Sequence, residues 1–165
     1  SAGLNHKCIH VLHTGDGREH LDRIIDRTES RYLACESIRV KDGAGALPYM
    51  EILERCYREK VKVHGFALTR SDLLLNLPFY SVDSSSRTSG IQYGTGHVFE
   101  KGRLRSHSLK DVKQLQRHGA GPAAHSRARG YGADMEKLKY AELEFLKMEK
   151  WITDIWTSRG VIWEE

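Results

Sequence analysis

The fold of this chain is decided by residues 63–86, which read VHGFALTRSDLLLNLPFYSVDSSS. Two short runs, 62–66 and 79–83, are rich in aromatic and β-branched residues, so each predicts a strand. Residues 72–77 between them predict a short helix. A strand, a helix and a strand joined by short connections indicate a parallel β/α unit. The second strand stops at Asp83, a carboxylate at a strand end.

The same alternation of strand and helix precedes this segment. Residues 7–13 and 31–35 predict two further strands. Residues 18–27 predict a helix, because their apolar side chains recur at three- and four-residue spacing. Another helix follows Pro48, which suits a first helical turn. Four strands that alternate with helices predict the α/β class with a parallel sheet.

The remainder of the chain departs from this alternation. Residues 97–99 and 103–105 predict a small hairpin that turns at a Lys-Gly pair. Residues 108–117 predict a helix, and a long final helix is predicted from Asp134, as its cap, to about residue 158. Its apolar residues keep a three-four rhythm, so one face of this helix must be buried.

These patterns predict three segments. Residues 1–118 form a β/α domain with a hairpin insertion. Residues 119–133 are rich in Gly, Ala, Arg and His and poor in apolar residues, so they predict a flexible basic loop. Residues 134–165 form the C-terminal helix, which packs on the domain or on a partner, and a short apolar tail that docks.

Composition excludes several classes of protein. The chain has 165 residues, of which 39% are hydrophobic and 29% charged, so it predicts a globular domain with its own core. No apolar run approaches the roughly 20 residues of a membrane helix. The first residues lack the apolar stretch of a secretory signal, so we expect a cytoplasmic protein. A net charge of +4 permits a nucleic-acid partner without requiring one.

The cysteines and histidines do not predict a metal site. Cys8, Cys35 and Cys56 are far apart and lack the Cys-x-x-Cys spacing of zinc sites and redox pairs, so we predict buried free thiols. Three histidines in the region 107–125 also lack a metal-site spacing. Neither a metal nor another cofactor is predicted.

Polar side chains lie at or near the ends of the four predicted strands, and they are His13, Glu36, His64 and Asp83. The carboxyl ends of parallel strands meet where the β/α loops gather, which makes these residues the candidates for catalysis or binding. Each also has a purely structural explanation, because such side chains often cap loops or satisfy local hydrogen bonds. Asp83 is favoured because small hydroxyl residues, among them Ser84, surround it in sequence. Arg87 either meets Asp83 or a phosphate, or is a solvated loop arginine.

Residues 64–69, 72–74 and 79–84 (HGFALT, DLL and FYSVDS) resemble the seventh and eighth strand region of the tRNA-guanine transglycosylase superfamily. They are most similar to the phage and bacterial members proposed to act on 7-deazaguanine bases in DNA. In that superfamily a glycine-containing strand end, a short helix and a strand ending in aspartate occur in this order, and the aspartate is the nucleophile. The resemblance therefore implies that Asp83 is catalytic, that the β/α units correspond to strands five to eight of a TIM barrel, and that the activity is pentosyl transfer.

The resemblance extends to both sides and includes departures. Residues 31–38 match the strand that ends in paired glycines against the base, but Cys35 and Glu36 stand there, and Ala67 replaces another expected glycine. Residues 145–163 resemble the C-terminal helix of the phage-type members. The zinc motif of the tRNA enzymes is absent. Together with the strand-end argument, the resemblance assigns substrate contacts to Cys35, Glu36, His64, Gly65, Ser84 and Arg87.

The resemblance also implies partners. A full barrel takes about 250 residues, so this chain corresponds to half of one, and its open edges predict self-association or a separately encoded N-terminal half. The implied substrates are a 7-deazaguanine and guanine in DNA or tRNA, and the acid that protonates the leaving base is His64 or Glu36. A basic segment with Asp111 as its lone acid predicts nucleic-acid contacts or a solvated basic surface. Its cations are Lys101, Arg103, Arg105, Lys110, Lys113, Arg117, Arg127 and Arg129.

Two alternatives stay open at this point. The chain is a non-catalytic half-barrel that binds nucleic acid or pairs with another half, or it is a small α/β enzyme of another type. In the second case the strand-end aspartate performs hydrolysis. Replacement of Asp83 by Ala or Asn, followed by an assay of guanine exchange, separates these hypotheses.

Overall fold

A computed structural model describes residues 8–13, 15–36, 48–83, 88, 93–108, 111–117 and 131–163, with the backbone alone for 112, 114, 115 and 131–133. The chain divides into two compact units. Residues 1–69, 73–84 and 160–165 form what we call the β/α unit, and residues 70–72 and 85–159 form the hairpin–helix unit.

The β/α unit contains four parallel strands. Its elements are β1 (His10–Leu12), α1 (Arg18–Arg27), β2 (Tyr32–Cys35), α2 (Tyr49–Arg58), β3 (Lys62–Gly65) and β4 (Ser81–Val82), and α3 (Ser71–Leu74) contains residues of both units. The sheet order is β1-β2-β3-β4, and every neighbouring pair is parallel. The predicted α/β class with a parallel sheet is therefore confirmed, and α1 has the predicted bounds.

The core of this unit forms between the helices and one face of the sheet. α1 buries Leu21, Ile24 and Ile25, as their spacing predicts. On the strands the core residues alternate with residues of the other face, because successive strand side chains point to opposite sides. The core side chains of the sheet are Leu12, Leu33, Cys35 and Val63. The opposite face carries Tyr32, Ala34, Lys62, His64 and Ser81, which are neighbours in the strand register.

The C-terminal tail docks on the β/α unit, as predicted. Trp163 packs against the core, and its indole Nε1 donates a hydrogen bond to the carbonyl of Pro78 at 3.2 Å. The Tyr57 ring on α2 meets the indole edge-on, with ring centres 5.1 Å apart. A large aromatic side chain thus holds residues 161–163 against the domain.

The hairpin–helix unit contains β5 (Thr95–Glu100), β6 (Arg103–Ser108), α4 (Val112–Arg117) and α5 (Tyr131–Ser158). The hairpin turns at Lys101 and Gly102, whose φ angles of +49° and +76° are both positive, as a type I′ turn requires. On α5, Phe145 packs against His97 and Trp151 packs against Phe99, with ring centres 5.5 Å apart in each case. The predicted burial of one helix face is therefore achieved against this hairpin.

Several predicted boundaries differ from the structure. α3 ends at Leu74 rather than residue 77, and the hairpin groups with α5 rather than with the β/α unit. α5 begins at Tyr131, so the predicted loop, which was to end at residue 133, extends too far along the chain. Asp134 lies in the first turn of the helix instead of capping it. A carboxylate in that turn still favours the helix, because it faces the positive end of the helix dipole. Residues 119–130 of the predicted loop lie outside the described residues.

The prediction for the cysteines is correct at two positions and wrong at one. Cys35 and Cys56 are buried in the core of the β/α unit. Burial raises the pKa of each thiol to about 12. Cys8 is exposed, because it precedes β1 and so lies before the first residue that the sheet covers.

Candidate active site

The carboxyl ends of the parallel strands bring the predicted candidates to one edge of the sheet. Each strand contributes one polar side chain at or just after its end, and these are His13, Glu36, His64 and Asp83. The backbone continues the strand pairing at this edge, because Glu36 N donates to Leu12 O at 3.2 Å and Asp83 N donates to Gly65 O at 3.3 Å. The four side chains form two pairs of one histidine and one carboxylate, each pair from adjacent strands.

The Asp83 carboxylate is held by the backbone of the loop that follows β3. Its Oδ1 accepts a hydrogen bond from the N–H of Ala67 at 2.8 Å. The same oxygen lies 3.7 Å from Nε2 of His64, which is too long for a hydrogen bond but close enough for a charge interaction. Among the described residues both contacts are made by Oδ1 and neither by Oδ2, and the side chain is 58% exposed.

Ala67 donates this hydrogen bond from a strained backbone. Its φ angle is +56°, in the left-handed region that favours glycine. An alanine in this region costs about 1 kcal/mol relative to glycine. Strain of this kind is concentrated at functional sites, where the surrounding structure holds it in place.

A second set of contacts fixes the orientation of the His64 ring. Its Nδ1 lies 2.8 Å from Oγ of Ser81, and that hydroxyl lies 2.6 Å from the Tyr32 hydroxyl. The rings of Tyr32 and Phe66 meet the imidazole edge-on at centre distances of 6.3 and 4.9 Å. With Nδ1 engaged by Ser81, the other nitrogen, Nε2, faces Asp83 and the carboxyl edge.

The second pair, His13 and Glu36, is more exposed. His13 Nδ1 lies 3.1 Å from Oε2 of Glu36, and the side chains are 64% and 38% exposed. The backbone on both sides is anchored, since His13 N donates to Asp16 Oδ2 at 2.7 Å and the Tyr49 hydroxyl donates to the Glu36 carbonyl at 3.0 Å. An exposed pair of this kind contributes at most about 1 kcal/mol to stability.

Two residues predicted to contact substrate have side-chain positions in the core. Cys35 is 2% exposed. A Cβ on Gly65 would lie 2.8 Å from Cδ1 of Leu68 and 3.2 Å from the Phe79 ring. Strand alternation explains both positions, because the neighbours of each along the strand face the other side of the sheet. Ser84 and Arg87, also predicted to bind substrate, lie outside the described residues.

The predicted nucleic-acid contacts lie in the hairpin–helix unit. Lys101 is at the hairpin turn, Arg103 and Arg105 are at alternate positions of β6, and all three are exposed. Lys113 and Arg117 are exposed on α4. Lys110, Arg127 and Arg129 lie outside the described residues.

The sequence did not identify the roles of Tyr32 and the Ala67 backbone. The signal for Tyr32 was the alternation in β2, which places Tyr32 and Ala34 on the same face as His64. The signal for Ala67 was its position where the resembling family has glycine, a residue type that favours positive φ.

The described part of the chain contains no group of three or more His, Cys, Asp or Glu side chains arranged to hold a metal ion. Within the same residues, no helix combines the length and apolar character needed to cross a bilayer. Comparisons of the chain with protein-family models, with curated proteins and with solved structures find no match. A functional hypothesis therefore depends on the geometry of the site.

Proposed function

We propose that the β/α unit is the C-terminal half of a base-exchange transglycosylase barrel and that Asp83 is its nucleophile. The substrate would be a guanine nucleotide in DNA or tRNA, and the incoming base a 7-deazaguanine. The observation that supports this most directly is the Asp83 carboxylate, whose Oδ1 is held by Ala67 N–H while the side chain stays exposed at the carboxyl edge. An ionised, oriented carboxylate at this edge suits attack on an anomeric carbon.

The order of the strands supports a barrel rather than an open sheet. Every strand of β1-β2-β3-β4 pairs with its neighbour in the chain, without a reversal of direction. With right-handed crossovers, such an order sets successive helices on one face. A doubly wound sheet instead reverses its strand order and binds its ligand at the reversal.

The reaction would proceed in two displacements. Asp83 Oδ2 attacks C1′ of the nucleotide, so a C1′–O bond forms while the glycosidic bond to N9 breaks and guanine leaves with a proton from an acid. The 7-deazaguanine then attacks C1′ through its ring nitrogen, the C1′–O bond breaks, and the released proton returns to the base that supplied the first one. His64, 3.7 Å from Asp83, and Glu36 are the candidates for that acid and base.

A half-barrel of this kind would require a partner. β1 and β4 each have one neighbour in the sheet, so both have an open edge within the described structure. Ile9, Phe66 and Tyr80 in the same unit are large apolar side chains with substantial exposure. A second copy or a separately encoded N-terminal half would cover such edges. Analytical ultracentrifugation tests this, and a stable monomer at high concentration would contradict it.

The nucleophile is tested by exchange of labelled guanine into DNA and tRNA. The variant Asp83→Asn keeps an oxygen that can accept the Ala67 N–H, so it removes the charge with little change in shape. We expect it to lower exchange by about 10³-fold or more. The matched control is Asp72→Asn, which removes an exposed carboxylate of α3 that pairs with Arg70 just before the helix, at 2.5 Å. The assay is run with the chain alone and with an N-terminal half supplied.

Two outcomes decide the proposal. Exchange that persists in Asp83→Asn shows that this aspartate is not the nucleophile. Absence of exchange by the wild-type chain, with either substrate and with the N-terminal half present, contradicts the catalytic hypothesis as a whole.

The exposed basic residues of the hairpin favour a second candidate function, a non-catalytic unit that binds nucleic acid. Arg103 and Arg105 share one face of β6, since they are two residues apart on a strand. In this case duplex binding weakens in an Arg103→Gln/Arg105→Gln variant, and the wild-type chain exchanges no guanine. Duplex binding that this variant leaves unchanged would contradict the second candidate.

A further inference from the structure

A basic cleft lies at the other edge of the sheet, at the amino-terminal ends of β2 and β3. Its volume is about 420 Å³, and the described residues that line it include no carboxylate. We call it the amino-edge cleft. Its charged and aromatic lining residues are Arg31, Arg58, Lys60, Lys62, Tyr57 and Trp163. All of them belong to the β/α unit.

The arginines of this cleft interact with carbonyl groups rather than carboxylates. Arg31 donates to Ile25 O at 3.5 Å and to the Glu59 carbonyl. Arg58 Nε donates to Glu54 O at 3.4 Å. In the described structure, these contacts orient the guanidinium groups without neutralising their charge.

Two other arginines on the helices of this unit are paired with carboxylates. Arg18 pairs with the Glu51 carboxylate, and Arg55 pairs with Asp22 at 3.0 Å and with Glu59 at 2.6 Å. The positive charge of these residues is compensated within the unit. Arg23 on α1 also contacts a carbonyl, that of Glu19. The cleft differs because it brings Arg31, Arg58 and Lys62 to one site, where their combined charge attracts an anion.

The lysine on β3 adds to this charge. Lys62 Nζ lies 4.6 Å from the centre of the Tyr80 ring, a cation–π contact that also leaves the ammonium charge in place. Arg31 and Lys62 are adjacent across the sheet, because Lys62 N donates to Arg31 O at 2.8 Å. Their side chains therefore start from neighbouring backbone positions.

Basic residues occupy the cleft at a conformational cost. Arg31 and Lys60 have φ angles of +51° and +56°, where glycine or asparagine would be less strained. They occupy corresponding places in the chain, just before β2 and β3. Both residues line the cleft.

We propose that the amino-edge cleft binds the phosphate groups of a single-stranded nucleic acid, with one nucleotide unit in the cleft. The lining cations supply the phosphate contacts. Tyr57 is 40% exposed and supplies an aromatic ring on which a base can stack. The volume lies in the range of sites for one ligand of nucleotide size. This site is separate from Asp83 and does not depend on transglycosylase chemistry.

The test is fluorescence anisotropy with the full chain and a labelled oligothymidylate of about 12 nucleotides. The informative variant is Arg58→Gln, and its matched control is Arg23→Gln. Both arginines are exposed on helices and donate Nε to the carbonyl four residues earlier, at 3.4 and 3.3 Å, but only Arg58 lines the cleft. The double variant Arg58→Gln/Lys62→Gln increases the effect.

Counterion release sets the expected size of the effect. Each lost phosphate contact makes the slope of log affinity against log salt shallower by about 0.7 for a single strand. At about 0.1 M salt this corresponds to about 5-fold weaker binding for Arg58→Gln and about 25-fold for the double variant. Arg23→Gln binds as the wild type does. Equal effects of Arg58→Gln and Arg23→Gln would overturn the proposal.

A second arm separates a strand from a free nucleotide. Thymidine monophosphate is titrated against the bound oligonucleotide, and we expect it to compete only at millimolar concentration because it offers one phosphate. If the monophosphate binds with the same dependence on Arg58 while the oligonucleotide does not bind, the site takes free nucleotides and the proposal is wrong. It is also wrong if only variants of Arg103 and Arg105 weaken oligonucleotide binding.

Discussion

Ala67 and Asp83 are joined by a hydrogen bond of 2.8 Å, in which a backbone N–H with a φ of +56° holds one oxygen of an exposed carboxylate. Ala67 lies in the loop after β3 and Asp83 directly follows β4, so the contact fixes the position of this loop relative to the end of β4. The contact thus holds the Asp83 carboxylate in one orientation at the carboxyl edge of the sheet.

The strain at Ala67 can be removed without losing this hydrogen bond. We expect Ala67→Gly to keep the Asp83 contact and to raise the free energy of unfolding by up to about 1 kcal/mol, since glycine adopts positive φ without a steric penalty. Ala67→Val should lower it. Urea unfolding measures both. Ala141→Gly in the interior of α5 is the control, and it should lower stability by about 1 kcal/mol; a destabilised Ala67→Gly would show that the strain is not present.

Gly65 leaves room for two core side chains. A Cβ at this position would lie 2.8 Å from Leu68 Cδ1 and 3.2 Å from Phe79, and Leu68 is buried. Gly65→Ala should therefore lower the free energy of unfolding by about 1–3 kcal/mol. Combining it with Leu68→Ala, which opens space, should cost less than the sum of the single variants. Additive losses in the double variant would contradict this packing account.

Local patterns predicted much of the β/α unit. Apolar spacing gave α1 its observed bounds, and the alternation of elements predicted the parallel sheet. Position at the strand ends predicted that His13, Glu36, His64 and Asp83 share one edge, because that follows from parallel strands alone.

Other features depended on contacts that are distant in sequence. The pairing of Tyr32 with Ser81 joins residues 49 positions apart, and no local pattern predicts which hydroxyls meet. The amino-edge cleft likewise combines Arg31 with the tail residue Trp163. The alternation of strand side chains places Cys35 and Gly65 on the core face of the sheet. The resemblance to the transglycosylase superfamily instead predicted that both residues contact substrate.

Glu144 is the buried carboxylate of α5 and the residue least expected in a helix core. It is 1% exposed, and its Oε2 accepts the backbone N–H of Phe99 in β5 at 2.8 Å, while Oε1 accepts from Lys147 at 2.5 Å. Glu144→Ala leaves a buried N–H without this acceptor, so we expect a loss of about 1–3 kcal/mol in unfolding free energy. Glu136→Ala, which removes an exposed pair with Lys139, should change stability by less than about 1 kcal/mol. Similar losses in the two variants would show that the Phe99 contact contributes little.

The three cysteines should differ in reactivity towards a thiol reagent. Cys8 is exposed, whereas burial raises the pKa of Cys35 and Cys56 to about 12 and keeps both as neutral thiols. Because the thiolate is the reactive form, we expect one fast-reacting thiol at pH 8 in the native protein and three in denaturant. Cys8→Ser should abolish the fast phase. A fast phase that remains in Cys8→Ser would show that Cys35 or Cys56 is accessible to the reagent, and it would contradict their burial.

The same burial makes stability fall at alkaline pH. The thiols ionise more readily in the unfolded chain, near their ordinary pKa of 9, than in the folded protein, where it is about 12. Stability from these groups is therefore fully present below about pH 9 and is lost as the pH rises towards 12, at up to about 1.4 kcal/mol per pH unit for each thiol. Tyr140, whose pKa is raised from 10 to about 12 by burial and then by Glu144, adds to the loss above pH 10. Urea unfolding across this range should show a shallower decline for Cys56→Ala than for the wild type, and parallel curves would contradict the assignment to the thiols.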